Sequence, residues 1–512
     1  MPDNNRNSKL VAKNSLFLFI RMLLVTVVGL YTSRVILDVL GVSDFGIYNV
    51  VGGIVVFFTF LQQALNNATY RFFTYALGES DMEKLRRTFS MSLNLHFLLA
   101  LIVFVFSELI GVWLLNNYLV IPPERLFAAN VVYQLSICSL CVNIIKTPYN
   151  SSIIAHEKMS FFAYTSILEV ILKLVIVLLL YHISFDKLSA YAVLIFVVDV
   201  FLCGLYYLYC KKLFSECTYF KFWDRAMLVN MFKYSGWSII VNMADVSVTQ
   251  SVVVFFNVFF GVVTNAALGV ANQVTSKVCL FLNSFTQAFN PQIIKAYARN
   301  DTHYFFNLIY STSKLSYYLL LLVCLPLLLN IDFILTVWLV EVPQDTSTLI
   351  FYTILYALVD AYSAPLWISV HATGNLKTHQ LLMSSIKIIN IPLAYLMLKF
   401  GLGAWTVLAL KAFLNFVCSI ARTIYMKRLI SLSLIQYCTS VFLPISFVTV
   451  LSVPVPFFVA SMQEDGWIKL LLSTAVSLLF ICFFVFYIGL NKRERELLVS
   501  MVPVKRFSIF RS

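Results

Sequence analysis

Charged residues are scarce in this sequence. Of its 512 residues, only 12% are Asp, Glu, Lys or Arg and 60% are hydrophobic, whereas soluble domains are close to half apolar and about a quarter charged. A water-soluble fold of this composition would have nowhere to bury so much apolar surface. The mean hydropathy of +0.86 carries the same implication, and the composition therefore predicts an integral membrane protein.

The motifs of soluble catalysis are also lacking. The sequence contains no Gly-x-x-x-x-Gly-Lys-[Ser/Thr] phosphate loop, no His-Glu-x-x-His zinc helix and no Gly-x-Ser-x-Gly nucleophile turn. The six histidines are scattered, most of them near predicted loop edges. We therefore expect no ATP hydrolysis, no metal site, no cofactor and no enzymatic activity in this chain.

Cysteines are present but form no disulfide pattern. Most of the ten lie inside apolar stretches, where a free cysteine behaves as a small hydrophobic side chain. Cys138 and Cys141 have the spacing of a redox or metal motif, but neither a histidine nor a further cysteine lies near them in the sequence. We expect both to pack within a helix.

Long apolar stretches recur from one end of the chain to the other. A stretch of about 20 residues can cross the roughly 30 Å of hydrocarbon in a bilayer, and about fourteen such stretches can be placed. The first is long and lacks a small-residue cleavage site, so we expect it to remain as a membrane span. The predicted spans are 14–37, 46–76, 89–114, 128–150, 161–182, 188–210, 234–260, 265–290, 305–330, 347–370, 379–399, 403–426, 434–460 and 467–489.

Basic residues in the loops favour one orientation of these spans. Most of them fall in the two tails and in the loops on one side. Because cytoplasmic loops are rich in Lys and Arg, we expect both termini in the cytoplasm and an even number of spans. The net charge of +13 is accounted for in this way, so we expect no nucleic-acid partner. The basic residues on the sparse side are Arg34, Arg125, Lys187, Lys399 and Lys469.

A weak internal repeat appears when the sequence is compared with itself. Gly261-Val262 matches Gly41-Val42, 220 residues earlier, and Asp301 matches Asp81 at the same shift. Span seven then matches span one, so each copy has six spans. Because six is an even number, both copies enter the membrane from the same side and the repeat is parallel. The other matches are Lys13 with Lys233, Ser15 with Ser235, Val50 with Val270, Ala68 with Ala288, and Pro123 with Pro343.

These observations together predict an all-α integral membrane fold. It has about fourteen transmembrane helices, arranged as two parallel-repeat lobes of six helices and two additional helices at the C-terminus. The predicted divisions are an N-terminal lobe at 1–213, a C-terminal lobe at 214–430, the two additional helices at 431–490 and a basic cytoplasmic tail at 491–512. Two lobes facing each other are typical of transporters.

Ionisable groups inside the spans are the candidate functional residues. They are costly in hydrocarbon and therefore tend to face a water-filled cavity or each other. Arg21, Asp245 and Lys277 lie deep in spans one, seven and eight, and Lys387 and Lys411 lie within spans eleven and twelve. We expect these five side chains to line a translocation cavity.

Two other sets of ionisable residues have simpler interpretations. Glu169 and Lys173 are four residues apart on one helix, so they are expected to pair with each other. Lys314 lies toward the predicted cytoplasmic end of span nine, so its long side chain is expected to reach the interface.

Polar neighbours support the cavity interpretation. Asn242 lies in span seven near Asp245, and Gln273 lies in span eight one turn before Lys277. A cavity rich in cations and amides suits an anionic substrate that carries many hydroxyl groups, because diphosphate oxygens accept charge-assisted hydrogen bonds from Lys and Arg.

The segment Leu30–Gly53 closely resembles polysaccharide repeat-unit flippases, the Wzx-type proteins of O-antigen and capsule assembly. These belong to the multidrug/oligosaccharidyl-lipid/polysaccharide (MOP) exporter superfamily. The resemblance covers the whole plan of helices, including the two that follow the twelfth. The residues that carry it are Ser33-Arg34, Asp38, Leu40-Gly41, Phe45-Gly46-Ile47-Tyr48-Asn49 and, later, Asn290-Pro291-Gln292.

The resemblance implies a fold and a function. The fold is a MATE-like, V-shaped bundle whose two lobes open alternately to either side. The function is movement of an undecaprenyl-diphosphate-linked oligosaccharide, a repeat unit of lipopolysaccharide or capsule, across the bacterial inner membrane to the periplasmic leaflet. It also implies membrane lipids, a polysaccharide polymerase and glycosyltransferases of the same pathway as partners. The family's basic cavity residues correspond here to Arg21 and Lys277, with Lys387 and Lys411 as further members.

Two alternative functions remain open from the sequence. An ion-coupled multidrug exporter of the same superfamily would favour carboxylates and aromatic residues for cationic drugs, whereas deep cations predominate here. A membrane polysaccharide polymerase or ligase would need a large outer loop with catalytic Arg or His. The longest outer loops, near 115–127 and 331–346, are short and contain a single basic residue, Arg125.

Overall fold

A computed structural model describes residues 3–78, 81–156, 158–298, 301–373, 377–492 and 494–496. Side chains are described within these ranges except for 3–23, 230–241 and scattered positions, most of them in 60–78 and 281–298. Every regular element in this part of the chain is a helix, so the expected all-α architecture is confirmed.

The described helices follow one another with short connections. Several of them contain an internal proline, as at Pro148, Pro326 and Pro365. Their bounds are α1 Asp3–Phe57, α2 Thr59–Gly78, α3 Met82–Phe106, α4 Val112–Asn117, α5 Leu126–Ala155, α6 Met159–Leu179, α7 Lys187–Leu213, α8 Arg225–Phe260, α9 Val262–Ala298, α10 Thr302–Leu329, α11 Ile331–Trp338, α12 Thr346–Thr373, α13 Lys377–Ile388, α14 Asn390–Lys399, α15 Ala404–Ile430, α16 Leu434–Tyr437, α17 Leu443–Ser452, α18 Pro454–Ser461 and α19 Trp467–Phe484.

Twelve helical segments in the described part of the chain are long and apolar enough to cross a membrane. The protein is therefore a multi-pass membrane protein. The predicted eighth span, in α9, and the part of the predicted second span that lies in α2 are not among these twelve, whereas residues 46–57 of the second span belong to the segment Leu24–Phe57. Both α2 and α9 are rich in amides and hydroxyls, which lowers their hydropathy.

Two glycines break the helical path at equivalent points. Gly41 has φ 75° and ψ 169° inside α1, and Gly261 has φ 81° and ψ −169° between α8 and α9. A positive φ is accessible to glycine without the steric cost that a Cβ atom brings. The repeat predicted from the sequence thus has the same backbone conformation at its two matched glycines.

Helix starts follow the same repeat. Asp81 caps α3 by accepting a hydrogen bond from the Lys84 amide at 2.9 Å, and Asp301 caps α10 by accepting one from the Tyr304 amide at 3.1 Å. A carboxylate at this position satisfies an amide that has no partner within the helix. The helices α5 and α12 also begin at matched positions, Leu126 and Thr346.

The chain separates into two compact units. The first combines the chain up to Val270 with Trp338–Thr346 and Ser384–Val407, and the second combines Ala271–Val337, Ser347–Met383 and the chain from Leu408 onward. Each unit has its own buried core. In the first it includes Phe73, Phe89, Tyr133 and Ile137, and in the second it includes Ile309, Leu320, Ile350 and Leu366. The lobe boundaries predicted from the repeat, 1–213 and 214–430, stay a prediction.

Lys314 differs from the sequence-based expectation. Its side chain does not reach the interface but is fully buried, where it donates to the Gly489 carbonyl at 3.1 Å and pairs with Glu494 at 2.9 Å. The expectation was wrong because Lys314 pairs with a buried carboxylate instead of reaching the interface. That carboxylate, Glu494, lies 180 residues away and just after the last span, so the sequence near Lys314 does not reveal it. By contrast, the expected pair of Glu169 and Lys173 is present at 2.6 Å.

Candidate functional site

The segment after Gly41 packs closely against the start of α9. At Gly46, an added Cβ atom would lie 2.0 Å from the carbonyl oxygen of Val262. Only a residue without a side chain allows this approach of two backbones. The glycine of the sequence motif therefore permits a helix contact within the first unit.

A second close approach lies one turn further along. The amide group of Asn49 rests against Gly269, where an added Cβ atom would come within 2.6 Å of its nitrogen. The same amide donates to the Phe45 carbonyl of its own helix at 2.8 Å. Asn49 and Gly269 are 220 residues apart, so they are equivalent positions of the repeat and contact each other directly.

Two connecting segments of the first unit bind to helices distant in sequence. The side chain of Asn257 in α8 accepts from the Val120 amide at 2.7 Å and donates to the Val120 carbonyl at 3.2 Å. The indole of Trp338 donates to the Leu30 carbonyl in α1 at 2.9 Å. Both contacts join an element of one repeat copy to an element of the other.

The other motif residues have local roles in the first unit. The Tyr48 ring meets Tyr191 edge-on, with ring centroids 5.2 Å apart. Asp38 is exposed and accepts a hydrogen bond from the hydroxyl of Tyr181, and Arg34 is also exposed. The motif thus combines helix contacts at Gly46 and Tyr48 with exposed charged side chains at Arg34 and Asp38.

Arg125 joins three helices near this region. Its guanidinium binds Asp44 in α1, with Nε donating at 2.8 Å, and Asp186 before α7 at 2.8 Å. Burial alone raises the pKa of Asp186, but hydrogen bonds from Ser189 and Arg125 outweigh it and hold the pKa below its ordinary value of 3.8. The single basic residue of the two longest predicted outer loops is therefore engaged in an ion-pair network.

Asp245 and Lys387 form an ion pair in the first unit. The Lys387 ammonium donates to Asp245 Oδ1 at 2.7 Å, across α8 and α13. About half of the Asp245 side chain is exposed, and a quarter of the Lys387 side chain. Asn242, one turn before Asp245, is half-buried. Three of the predicted site residues thus lie together, with a carboxylate that orients a cation.

Lys277 lies in the second unit on a polar stretch of α9. It is partly exposed, and within the described part of the chain it forms neither an ion pair nor a hydrogen bond. Gln273 lies one turn earlier and is also partly exposed, while Thr275 donates to Thr353 at 2.8 Å. Lys277 is therefore a cation that no carboxylate among the described side chains neutralises.

Lys411 is the other predicted cation of the second unit. Its ammonium lies 5.2 Å from the ring centroid of Tyr356, a distance at which the ring face attracts a cation. The Asn415 amide donates to the Tyr356 carbonyl at 3.2 Å, which fixes the neighbouring turn. The remaining predicted cation, Arg21, lies outside the described side chains.

Sequence reasoning missed several residues that hold the helices together. Asn257, Trp338 and Glu494 belong to no motif, and their partners are far away in the sequence. Glu494 accepts hydrogen bonds from Ser311, the Asn491 amide and Lys314, which together overcome the effect of burial and hold its pKa below the ordinary 4.5. The signal available in the sequence was the position of Lys314 inside the predicted ninth span.

No protein-family model matches the chain, and no curated protein sequence matches it significantly. Several solved structures do match the chain. Lipid II flippase MurJ in an inward closed conformation matches with a TM-score of 0.69 at 15% identity, over 95% of this chain and 100% of that one.

Two other solved structures are similar over a smaller share of the chain. An outward-facing multidrug resistance MATE transporter has a TM-score of 0.60 at 14% identity, over 83% of this chain and 96% of its own. A MOP superfamily transporter from Pyrococcus furiosus, described by the reverse polarity of its binding pocket, has a TM-score of 0.51 at 12% identity, over 82% and 93%. The chain therefore has the fold that lipid II flippase MurJ shares with the MATE transporters of the MOP superfamily.

Proposed function

We propose that this protein is a lipid-linked oligosaccharide flippase of the bacterial inner membrane. It moves undecaprenyl-diphosphate-linked polysaccharide repeat units from the cytoplasmic to the periplasmic leaflet by alternating access, with both termini in the cytoplasm. It is a transporter and not an enzyme. One fold can host several functions, so the function of this protein depends on particular side chains.

The observation that carries the proposal is the charge of the polar residues in the spans. Lys277 has no carboxylate partner among the described residues, and Lys411 lies over an aromatic ring. A cation such as Lys277, which no described carboxylate neutralises, favours an anionic ligand, and diphosphate oxygens accept strong hydrogen bonds from a lysine ammonium. We propose that Lys277, Lys411 and Gln273 of the second unit contact the substrate during transport. For the first unit we propose the same role for Arg21, Lys387 and Asn242.

Asp245 acts in this proposal through Lys387. A carboxylate that accepts a hydrogen bond from an ammonium at 2.7 Å already has a cationic partner, and so is less suited to bind a cationic drug. We propose that Asp245 orients Lys387 toward the substrate. This favours the flippase over an ion-coupled multidrug exporter of the same fold.

The share of the chain that each solved structure covers also supports the flippase. MurJ matches 95% of this chain and the MATE transporter 83%. The predicted helices at 434–460 and 467–489 lie beyond the two predicted six-helix lobes, and a match over 95% of the chain includes at least part of them.

The energy source follows from the charge of the substrate. The sequence lacks the phosphate-binding loop of an ATPase. A negative headgroup that moves outward is aided by an inside-negative potential, by about 2.3 kcal/mol per charge per 100 mV. We therefore expect transport that depends on membrane potential.

The test is flipping of a lipid-linked oligosaccharide in proteoliposomes, with membrane potential and pH gradient set independently. Transport that increases with the potential, and not with the pH gradient, supports the proposal. Transport that follows the pH gradient alone and is uncoupled by Asp245→Asn would make Asp245 a proton carrier. Movement of a cationic drug without movement of the lipid would show the multidrug exporter instead.

A further inference from the structure

An apolar groove of about 840 Å³ lies on the side of α3 in the first unit. Its walls include Phe97, Leu98 and Leu101 from α3 and Ile145 from α5. Phe97 and Leu101 are 65% and 54% exposed, although α3 is one of the membrane-crossing helices. The groove therefore opens toward the hydrocarbon of the bilayer.

A short segment between α7 and α8 closes one end of this groove. The Asn94 amide donates to the Phe222 carbonyl at 2.8 Å, and the Phe220 amide donates to the Ser90 hydroxyl at 3.3 Å. Residues 219–223 are thereby held across α3, about three turns from its start. The groove extends from this point along α3, away from the first turn of the helix.

The closed end of the groove is basic and aromatic. Lys221 is exposed and lines it, and among the described side chains the ammonium has no carboxylate partner. Tyr219 and Trp223 on either side are 54% and 59% exposed. Exposed aromatic rings beside a basic residue are typical of the level of the lipid headgroups.

The neighbouring arginines are already engaged. Arg86 lies 5.0 Å from the ring centroid of Phe220, and Arg87 forms an ion pair with Glu83. Lys221 is the basic residue among those that line the groove, and the amide of Asn94 is occupied by the backbone. An occupant of the groove therefore contacts one ammonium group and an apolar channel.

We propose that the groove binds an anionic membrane phospholipid, with its headgroup phosphate at Lys221 and an acyl chain along α3 toward Leu101. The volume lies in the roughly 300–1,000 Å³ range of small-molecule sites. A single ammonium matches the one phosphate charge of a phospholipid, whereas a diphosphate-linked sugar would require further cations and free amides. This lipid site is separate from the residues assigned to transport.

Trp223 provides a direct probe of occupancy. The full-length protein is reconstituted in vesicles that contain either brominated phosphatidylglycerol or brominated phosphatidylcholine at equal mole fraction. Bromine atoms quench tryptophan fluorescence on contact, and the Trp223 signal is the difference between the protein and its Trp223→Phe variant. We expect an apparent preference of about fivefold for the anionic lipid, because one basic residue near an anionic membrane surface raises the binding constant by about that factor.

Substitution of Lys221, the residue proposed to bind the headgroup phosphate, gives the matched comparison. Lys221→Ala is expected to abolish the preference, whereas Lys212→Ala, which removes an exposed lysine of α7 away from the groove, retains it. Equal quenching by both lipids, or an unchanged preference in Lys221→Ala, overturns the proposal. Loss of quenching when undecaprenyl diphosphate is added would also overturn it, since the groove would then bind the lipid carrier.

Discussion

At the scale of single residues, Lys277 combines exposure with the lack of a described carboxylate partner. We predict that Lys277→Ala lowers flipping by about tenfold or more, since a hydrogen bond to a charged group is worth roughly 1.5–3 kcal/mol. Lys277→Arg retains part of the activity because it keeps the charge. Export in cells, normalised to the amount of protein in the membrane, measures the effect.

Lys399→Ala is the control for this substitution, because Lys399 is an exposed lysine at the end of α14. It is expected to transport normally. Full activity of Lys277→Ala would remove Lys277 from the mechanism.

The sequence was informative about residues whose chemistry is local. The positive φ of Gly41 and Gly261 and the caps at Asp81 and Asp301 depend on their own helix ends, and their spacing of 220 residues was visible in the sequence. The partner of Lys387 was not, because Asp245 lies 142 residues away. Pairs of this kind depend on how helices pack, which periodicity does not specify.

At the scale of helices, Gly46 allows α1 to approach the start of α9. We predict that Gly46→Ala destabilises the folded protein by about 1–3 kcal/mol, the usual cost of overpacking, because the new methyl group would lie against the Val262 backbone. Thermal unfolding in detergent measures the change. Gly52→Ala in the same helix is the control, since nothing lies within 4 Å of its added Cβ atom. An equal loss in both variants would contradict the close-approach explanation.

The buried pair of Lys314 and Glu494 anchors the end of the last span to α10. We predict that Glu494→Gln lowers the free energy of unfolding by as much as about 3–5 kcal/mol near neutral pH, because it leaves a buried charge without its partner. Glu496→Gln, two residues further and exposed, is expected to have little effect.

The same pair predicts a pH dependence. The pKa of Glu494 is held below its ordinary value of 4.5, so its contribution to stability is fully present above that value and is lost as the pH falls through the lower, folded pKa. The difference between the wild type and Glu494→Gln should therefore shrink in strongly acidic buffer. A constant difference across that range would show that the charge of Glu494 is not involved.

At the scale of the whole molecule, the prediction concerns orientation. We expect Glu83→Cys, near the start of α3, to react with an impermeant thiol reagent only after the cells are permeabilised. Ser184→Cys, between α6 and α7, should react in intact cells. Both positions are exposed, and the background lacks the exposed native cysteines Cys438 and Cys482. The reverse pattern of labelling would invert the assignment of both termini to the cytoplasm.

The contact between Asn49 and Gly269 bears on the ancestry of the chain. These are equivalent positions of the two copies, and they touch. If two identical half-length chains paired in this way, both positions would carry the same residue, and two asparagines would not fit at this separation. In a single chain that contains both copies this restriction is absent, since each copy can change independently. The asparagine opposite a glycine is thus a combination that two identical half-length chains cannot have.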